Sequence, residues 1–270
     1  MSPKDKGVEP TQSDLESALA GLLPPAPANF GLRVLRHVGI SQQRYDAYVR
    51  LDTYAGGLYV AYSPTAVTGA ALESAVARPS VFEEQHWSLT HRTAIRSDTP
   101  FPGLRQAMRT GRTRNVPVDL APLGARQQAV LEAVRGIPKG QLRPIGWIAR
   151  EAHVADDAEV ITQALARNPV AVLVPCHRVT YDDGTPCDAG YPPSTGQALR
   201  AAEGIDMQRL EELSRRGAVF LGSDTTRIYC HPTCAHARRI TPRHQQPFRS
   251  AYEARCAGYR ACRSCRPVTV

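Results

Sequence analysis

Four cysteines towards the C-terminal end constrain the fold of this chain more than any other feature. Cys230-x3-Cys234 is followed, after 27 residues, by Cys262-x2-Cys265. Close pairs at this spacing each supply two corners of a tetrahedral zinc site, and a segment of about 40 residues with few large apolar side chains needs such a cross-link to fold. We therefore predict one structural Zn²⁺ bound by these four thiolates; a redox pair and unrelated thiols are the weaker alternatives.

Positive charge is concentrated in the same segment. The 270-residue chain has a formal net charge of +8. From Arg227 to Pro267 there are nine arginines and one acid, Glu253, so this segment contains the whole surplus. Arginine suits phosphate recognition because its guanidinium is planar and bidentate, and we expect DNA as a partner, mainly through this segment. Genomic base composition explains the arginine bias equally well.

Composition and the first residues indicate a cytoplasmic globular protein. Hydrophobic residues make up 42% of the chain, which is enough for a packed core. No apolar run approaches the roughly 20 residues of a membrane helix, and the polar segment 1–6 lacks the apolar stretch of a signal peptide. Seven cysteines in a cytosolic chain are metal ligands or nucleophiles more often than disulfides. The sequence does not fix the oligomeric state, and a monomer is favoured.

Hydrophobic periodicity and turn residues predict a series of units along the chain. We expect a tail and helix over 1–29, an α/β domain over 30–118, a helical domain over 119–205, a linking helix over 206–219 and a zinc module over 220–270. Within them we predict a strand at 58–62 and helices at Ser13–Leu23, Ala70–Val76, Gly103–Met108, Ala125–Arg135, Ile145–Ala152, Ala158–Arg167 and Asp206–Arg216. Ile145–Ala152 and Ala158–Arg167 are compatible with a helix-turn-helix.

Cys176 lies in the string Pro-Cys-His-Arg-Val, directly after the apolar run 170–174. A lone cysteine after such a run is usually a buried small hydrophobe. Here His177 supplies a neighbouring base, which is how a thiol becomes a nucleophile, and Glu203 can orient and polarise that histidine. We therefore expect the Cys176 sulfur to be an exposed, activated nucleophile.

The zinc segment resembles a known family. Residues 225–234 and 257–267 resemble the zinc domain of the Ada adaptive-response protein well beyond the cysteines. The resemblance implies that Cys230 accepts a methyl group from a methylphosphotriester in DNA. Four thiolates around one Zn²⁺ carry a formal charge of −2, which repels an intact phosphodiester more than a methylated one. Flanking phosphates would be held by Arg227, Arg238, Arg239 and Arg260. The alternative is a structural zinc module that binds DNA without accepting a methyl group.

The segment around Cys176 resembles the O6-alkylguanine-DNA alkyltransferases, and residues 168–179 and 146–151 carry the likeness. It implies a ribonuclease-H-like N-terminal sheet and a winged-helix-like alkyltransferase domain. By this likeness Cys176 is the alkyl acceptor, His177 its base through a water, Glu203 the residue behind His177, and Asn168 a hinge. Such proteins flip the damaged base out of the duplex, keep its alkyl group as a thioether and are then spent. Further DNA or substrate contacts implied at matching positions are Arg143, Ile145, Glu159, Arg178 and Tyr191.

Three positions depart from that family. The family has a tyrosine where this chain has Ile145, an intercalating arginine where it has Glu159, and a glycine where it has Thr162. Glu159 is one of four acids near the presumed recognition helix, a surface that should lose affinity for phosphate. These departures leave two alternatives open: a protein that uses Cys176 on a small-molecule electrophile or biosynthetic intermediate, and a zinc-dependent DNA-binding sensor in which neither thiol reacts.

Overall fold

The computed structural model of the protein describes residues 26–54, 56–76, 78–154 and 158–267. The tail and the helix predicted at Ser13–Leu23 lie outside these residues. Within them, no helix is long and apolar enough to cross a membrane. The fold combines two four-stranded mixed sheets with helices and a cluster of four cysteines.

A four-stranded sheet forms the centre of the N-terminal part. Its order is β3-β2-β1-β4; β1–β2 and β2–β3 are antiparallel, while β4 runs parallel to β1. The elements are β1 Tyr45–Thr53, β2 Gly56–Tyr62, β3 Val67–Leu72, β4 Thr93–Arg96, α1 Phe30–His37, α2 Pro79–Thr90 and α3 Leu104–Thr110. The strand predicted at 58–62 and the helix predicted from Gly103 are confirmed, with the helix starting one residue later.

Both faces of this sheet are covered. On one face Tyr48, Tyr59 and Phe82 of α2 form an aromatic cluster with ring centroids 5.5 to 6.3 Å apart. On the other face Val60 and Leu72 join the core that the sheet shares with the helical part. Burying each such apolar side chain contributes about 1.5–3 kcal/mol. The shared core therefore holds the sheet against the helices.

The prediction of a helix at Ala70–Val76 is wrong, because β3 extends to Leu72. Ala70 donates its backbone N–H to Pro169 O at 2.8 Å, and its carbonyl accepts from Ala171 N at 3.0 Å. The helix preference of an alanine-rich segment is weak, and hydrogen bonds to a distant segment override it. This pairing places β3 beside the residues that lead to the predicted nucleophile.

Helices dominate the second part. They are α4 Ala125–Arg135, α5 Ile145–Ala152, α6 Ala158–Ala166, α7 Pro193–Ala202 and α8 Met207–Arg215, with a short parallel pair, β5 Arg143–Pro144 and β6 Val179–Thr180. The bounds of α4 and α5 are those predicted, and α6 and α8 differ by one residue at their ends. One face of each central helix is fully buried, as shown by Val130, Leu131, Val134, Ile148, Ile161 and Leu165.

The C-terminal module is a second small sheet of order β10-β8-β7-β9. Its elements are β7 Phe220–Ser223, β8 Ile228–Cys230, β9 Gln245–Phe248, β10 Arg260–Ala261 and α9 Ala251–Cys256. The apolar core between them is small and mostly aromatic, formed by Phe220, Tyr229, Phe248, Ala251, Ala254 and Tyr259. The four cysteines pack in a separate cluster, as expected for a module whose core alone is too small to hold it together.

Candidate functional site

Cys176 opens a single 3₁₀ turn, Cys176–Arg178, after the mostly buried segment 170–175. Its Sγ accepts a hydrogen bond from the side-chain amide of Asn168 at 3.2 Å, and the same amide nitrogen donates to Val174 O at 3.0 Å. The amide oxygen of Asn168 accepts from Val170 N at 3.0 Å. Asn168 follows the end of α6 by two residues. One amide therefore links the sulfur to the end of the predicted recognition helix.

The expectation of an exposed sulfur at Cys176 is wrong. Cys176 has no exposed surface, because Val172, Leu173 and Val174 pack with it in the main core. Burial raises the pKa of the Cys176 thiol to about 12, and the hydrogen bond from Asn168 lowers it only in part. At neutral pH the sulfur is a neutral thiol, which must give its proton to a nearby base before it can act as a nucleophile.

A buried ionic network involves the next two residues. His177 Nε2 lies 3.0 Å from Glu203 Oε1, and Arg178 donates to both carboxylate oxygens of Glu203 at 2.7 to 3.2 Å. Burial raises the pKa of Glu203, but the hydrogen bonds with His177 and Arg178 outweigh it, so the pKa lies well below its usual range. Glu203 is therefore an ionised carboxylate directly behind His177, in the position that the sequence predicts.

The protonation of His177 follows from that network. A carboxylate only accepts hydrogen bonds, so Nε2 carries the ring proton. Burial lowers the pKa of His177, and the hydrogen bond to Glu203 offsets this only in part. The ring is therefore neutral, and Nδ1 has a free lone pair. Nδ1 is buried and has no hydrogen-bond partner among the described residues, so its lone pair is available to accept a proton.

Two further contacts to Glu203 cannot be read from the sequence. The Tyr54 hydroxyl donates to Oε1 at 3.2 Å, across 149 residues, and Gly140 N–H donates to Oε2 at 2.9 Å. The ammonium of Lys139 lies 5.2 Å from the centre of the Tyr54 ring. Gly140 has a φ of 73°, which favours glycine and marks a turn. No local signal identifies the acceptor of that turn or the tyrosine from the N-terminal part.

Tyr191 and Gly190 form a wall beside the sulfur. Tyr191 is buried, its hydroxyl accepts from Val172 N at 3.0 Å, and its ring lies 6.1 Å from that of His177. A Cβ at Gly190 would lie 3.7 Å from Cys176 Sγ. Both residues line a cavity of about 210 Å³ that also borders Asn168. Tyr191, predicted as a substrate contact, therefore lines a cavity together with Asn168 and Gly190, whereas Cys176 itself is not a lining residue.

Three predicted DNA or substrate contacts are instead inside the protein. Arg143, Ile145 and Arg178 are each 2% exposed, so the predictions that they contact DNA are wrong. The guanidinium of Arg178 donates hydrogen bonds to the Glu203 carboxylate. Arg143 donates to two neighbouring oxygens at 2.7 Å, and the four module cysteines raise its pKa while burial, the larger effect, lowers it. Arg143 is therefore a buried positive charge facing the cysteine cluster.

The two other departures from the family pattern lie on α6. Glu159 is exposed and accepts from Gln163 Nε2 at 3.0 Å. Thr162 is half-buried and donates its hydroxyl to Ala158 O at 2.9 Å. An exposed carboxylate on this helix repels phosphate rather than attracting it. Glu159, the exposed predicted contact on the presumed recognition helix, therefore has the wrong charge for binding DNA.

The four predicted zinc ligands meet at one point. Their sulfur atoms are buried and all lie within 4.8 Å of one another. A Zn–S bond of about 2.3 Å places the sulfurs of a tetrahedral site roughly 3.8 Å apart, so the cluster fits a zinc ion with little adjustment. The ligands come from the end of β8, the turn after it and the segment after β10, and they are Cys230, Cys234, Cys262 and Cys265.

Cys230 differs from the other three ligands because it borders a cavity of about 310 Å³. The other three are not among the lining residues of this cavity. The polar side chains in its walls are Ser223, Thr225, Thr226, His236, Arg239, Thr241 and His244. Hydroxyls, imidazoles and a guanidinium are all donors for phosphate oxygens. The resemblance quoted above covers Thr225 and Thr226, whereas nothing in the spacing singles out His236 or His244.

The four arginines predicted to hold phosphates are all exposed. Arg239 lines the Cys230 cavity. The guanidinium of Arg227 lies 5.2 Å from the centre of the Tyr259 ring, and Arg238 reaches towards the Gly140 turn of the helical part. Arg260 lies on β10. The structure therefore leaves these charges free for a polyanion and places Arg239 at the cavity itself.

The C-terminal module is docked on α5. Trp147 donates its indole N–H to Cys265 O at 3.0 Å, and Arg150 donates to Arg266 O. Arg266 in turn forms an ion pair with Glu151. The turn that carries the last zinc ligand is thus tied to the first helix of the predicted helix-turn-helix.

Two families match the chain, one for each half of this arrangement. Residues 125–205 match the DNA binding domain of 6-O-methylguanine DNA methyltransferase, and residues 211–268 match the metal binding domain of Ada. The first match covers Asn168, Cys176, His177 and Glu203, and the second covers all four zinc ligands. The chain thus combines a segment similar to the DNA binding domain of 6-O-methylguanine DNA methyltransferase with a segment similar to the metal binding domain of Ada.

Individual relatives match over part of their length. The methylated-DNA–protein-cysteine methyltransferase of Methanosarcina acetivorans is 36% identical over 80 residues, 29% of this chain and 51% of that protein. The bifunctional transcriptional activator/DNA repair enzyme Ada of Escherichia coli is 33% identical over 86 residues, 30% of this chain and 24% of that protein. The chain spans about half the length of the Methanosarcina relatives that it matches. The structure of Mycobacterium tuberculosis OGT in complex with DNA aligns with a TM-score of 0.46 and 27% identity, covering 58% of this chain and 93% of that one.

Proposed function

We propose that the protein is a single-use acceptor that moves the alkyl group of O6-alkylguanine in DNA to Cys176. The observation that carries the proposal is the ionic chain behind the nucleophile: Glu203 fixes the Nε2 proton of His177, which leaves the buried Nδ1 as a base without a partner. A structural cysteine in a core needs no such arrangement. The methylguanine methyltransferase domain match over the same residues supports the same chemistry.

The reaction follows from these positions. The Cys176 thiol gives its proton through one water to Nδ1 of His177, and Glu203 stabilises the resulting imidazolium. The sulfur then attacks the alkyl carbon, the S–C bond forms, the C–O6 bond breaks, and its electron pair remains on guanine. The proton held by His177 passes to guanine, so that atoms and charge balance. Cys176 ends as a thioether that cannot return to a thiol, which makes the protein a reagent consumed by one event.

The buried sulfur restricts how DNA presents its damage. A sulfur without exposed surface cannot reach an atom inside a stacked duplex, so the alkylated base must leave the stack and enter the protein. Asn168 lies between α6 and the sulfur and contacts Cys176 directly. We infer that it couples the seating of α6 on DNA to the position of the nucleophile.

A second acceptor is supported by the Cys230 cavity. Among the four ligands Cys230 borders that cavity, together with Arg239 and hydroxyls suited to phosphate. Zinc bound by this cluster keeps its thiolates deprotonated at neutral pH. We propose that Thr225 and Arg239 position a methylphosphotriester so that the Cys230 sulfur forms a bond to the methyl carbon. The C–O bond of the methyl ester breaks, and its electron pair stays on the released phosphodiester. We also propose that one zinc ion is bound per chain.

The distribution of charge in the helical part favours one different function. Glu159 is exposed, and Arg143 and Arg178 are buried, so the helical part offers little positive charge to a duplex at these positions. In this alternative, duplex DNA is held mainly by the C-terminal module, and Cys176 acts on a small electrophile. The cavity beside Gly190, about 210 Å³ in volume, is the feature that supports it.

The division into domains at 30–118, 119–205, 206–219 and 220–270 is likewise a proposal. The sheet order β3-β2-β1-β4 with a parallel β4 supports a ribonuclease-H-like N-terminal domain. The winged-helix-like description of the helical domain rests on the α5 and α6 pair and the short β5–β6 pairing.

Mapping of transferred methyl groups tests the proposal. The protein is incubated with duplex DNA that contains O6-methylguanine and, separately, with duplex DNA that contains a methylphosphotriester, and methylated peptides are identified by mass. We expect methyl on Cys176 from the first DNA and on Cys230 from the second. Cys176→Ala should abolish the first transfer, and Cys187→Ala, which removes another buried thiol, should not. Methyl on neither sulfur would exclude both repair reactions and favour the small-molecule alternative.

A further inference from the structure

Buried arginines in this protein are paired with carboxylates, with one exception. In the described part of the chain, four arginines have at most 9% of their surface exposed. Three of them form ion pairs, which are Arg135–Glu132, Arg178–Glu203 and Arg200–Asp188. The fourth, Arg143, is 2% exposed and has no acidic partner among the described residues. An uncompensated charge inside a protein is strongly destabilising, so Arg143 needs a negative group of another kind.

Neutral oxygens satisfy only part of the Arg143 guanidinium. It donates to Leu142 O and to Gln141 Oε1, both at 2.7 Å. Its Nε atom is buried and has no hydrogen-bond partner among the described residues. Because a guanidinium stays protonated in proteins at neutral pH, these contacts leave one donor and a whole positive charge without compensation.

The segment that carries Arg143 contacts the backbone and turns of the cysteine cluster. Leu142 donates its N–H at 2.8 Å to the hydroxyl of Thr233, in the turn between the first two cysteines, and that hydroxyl donates back to Leu142 O at 3.3 Å. Trp147 donates to Cys265 O at 3.0 Å, and the Arg143 guanidinium lies 5.6 Å from the centre of the Trp147 ring. Burial lowers the pKa of Arg143, and all four cysteines of the cluster raise it. The cluster is therefore the group that faces the unpaired cation.

The metal-bound form of the cluster has the sign that Arg143 requires. Coordination deprotonates a thiol, so four thiolates around one Zn²⁺ carry a formal charge of −2. One guanidinium beside them halves the net negative charge of the buried assembly. Four neutral thiols without metal would provide no such compensation. The buried cation and the loaded cluster therefore need one another.

We propose that Arg143 of the helical part is the counter-charge of the zinc-bound thiolate cluster, so that the metal site is shared between the helical part and the C-terminal module. The inference rests on the proposed binding of one zinc ion by the four cysteines. Arg143 is not a ligand; it is a positioning residue that acts on the metal through the thiolates. Zinc binding and the docking of the C-terminal module on the helical part then stabilise one another, because the binding free energy of a structural metal is folding free energy.

Zinc affinity separates the charge of Arg143 from its packing. Arg143→Met keeps a long side chain but removes the charge, and Arg143→Lys keeps the charge. Affinity of the full chain for zinc is measured by competition with a chromophoric chelator. We expect Arg143→Met to bind zinc at least about tenfold more weakly, the loss typical of removing a group that supports metal ligands, and Arg143→Lys to stay within about threefold of the wild type.

The matched control is Arg135→Met, at a buried arginine of α4 that is paired with Glu132. It removes the same charge at a site that makes no contact with the cluster among its hydrogen bonds, which go to Glu132 and to two backbone oxygens. Zinc affinity of this variant should stay within about twofold of the wild type.

Urea unfolding with and without zinc provides a readout that a packing role would not move. We expect Arg143→Met to unfold at lower urea than the wild type when zinc is bound, and this difference to vanish or reverse after zinc is removed with EDTA. Arg135→Met should lose the same stability under both conditions. A loss in Arg143→Met that is equal with and without zinc, or an unchanged zinc affinity, would overturn the inference.

Arg143→Lys keeps the test decisive if Arg143→Met does not fold. Folding and zinc binding that are restored by lysine require the charge, whereas equal failure of both variants would assign Arg143 a packing role and overturn the inference. A wild-type chain that binds no zinc would instead overturn the proposed metal site on which the inference rests.

Discussion

Trp147 of α5 donates its indole N–H to the carbonyl oxygen of Cys265 at 3.0 Å, across 118 residues of sequence. Cys265 is one of the four cysteines whose sulfur atoms fit a zinc ion, so a helix of the helical part holds the backbone of a predicted metal ligand. Arg143 lies in the same interface, with its guanidinium 5.6 Å from the centre of the Trp147 ring. The helical part and the C-terminal module are therefore in direct contact here, and we expect changes on α5 to affect the stability of the cysteine cluster.

Trp147→Phe tests the coupling. The substitution keeps an aromatic ring in the interface but removes the donor, leaving the Cys265 carbonyl without that partner. Leaving a buried acceptor unpaired costs about 1–3 kcal/mol. We expect a loss of this size in the free energy of unfolding, measured by urea titration of the full chain. Trp87→Phe, at a residue that is 52% exposed, should change stability by less than about 0.5 kcal/mol; identical midpoints for both variants would show that the bond contributes nothing.

Metal content should depend on the four clustered cysteines and on no other thiol. Removing one thiolate from a tetrahedral site lowers metal affinity and releases the folding free energy linked to binding. Cys234→Ser should therefore lose most of the roughly one zinc per chain expected for a single tetrahedral site, measured by mass spectrometry of the metal, and it should also unfold at lower urea. Cys256→Ser, at an exposed cysteine outside the cluster, should keep its zinc. Equal zinc loss in both variants would contradict the assignment of ligands.

Local sequence pattern predicts those parts of the molecule whose structure is set by neighbours along the chain. The bounds of α4 and α5 follow from apolar spacing and from the glycine and proline residues around them. The four zinc ligands are predicted by their spacing, and the position of Glu203 behind His177 is predicted by the family resemblance. In each of these cases the residue types themselves carry the signal.

Long-range packing explains what the sequence does not reveal. The helix expected from Ala70 is a strand because Pro169 and Ala171 supply its hydrogen bonds. Arg143 looks like a surface cation in the sequence, yet it is buried facing a cysteine cluster that follows about 90 residues later. A charged side chain enters the interior only when partners are assembled around it, and those partners come from distant segments here.

Alkaline pH should destabilise the protein through Cys176. Burial raises the pKa of this thiol from 9.0 to about 12, so the folded protein keeps a proton that the unfolded chain releases above pH 9. The unfolded state then binds fewer protons, and stability falls as the pH rises from about 9 to about 12. At pH 10.5 the loss is about 2 kcal/mol, at 1.36 kcal/mol per pH unit.

Comparing Cys176→Ser with the wild-type protein isolates this effect, because all other titrating groups are common to both. We expect the difference in unfolding free energy between the two proteins to change by about 2 kcal/mol in favour of the variant between pH 8 and pH 10.5. Urea titrations at the two pH values provide the measurement, with Cys256→Ser as the exposed-thiol control. A pH-independent difference would mean that the thiol ionises as readily in the folded protein as in the unfolded chain.

Reversing the charge at Glu159 should strengthen binding to DNA. Glu159 is exposed on α6, and Glu159→Arg replaces a repelled group by one that pairs with phosphate. We expect roughly fivefold tighter binding to an unmodified duplex at moderate salt, and a salt dependence steeper by about one unit in the log–log slope. Fluorescence anisotropy titrations at salt concentrations from roughly 50 to 200 mM measure the affinity and its salt dependence. The control is Glu84→Arg, an exposed position on α2 of the N-terminal part, which carries the same change in net charge and should leave the slope unaltered. An equal gain in both variants would mean that α6 does not contact the DNA. A tyrosine at position 145 is not a useful second substitution, because Ile145 is buried and Ile145→Tyr is expected to destabilise the fold.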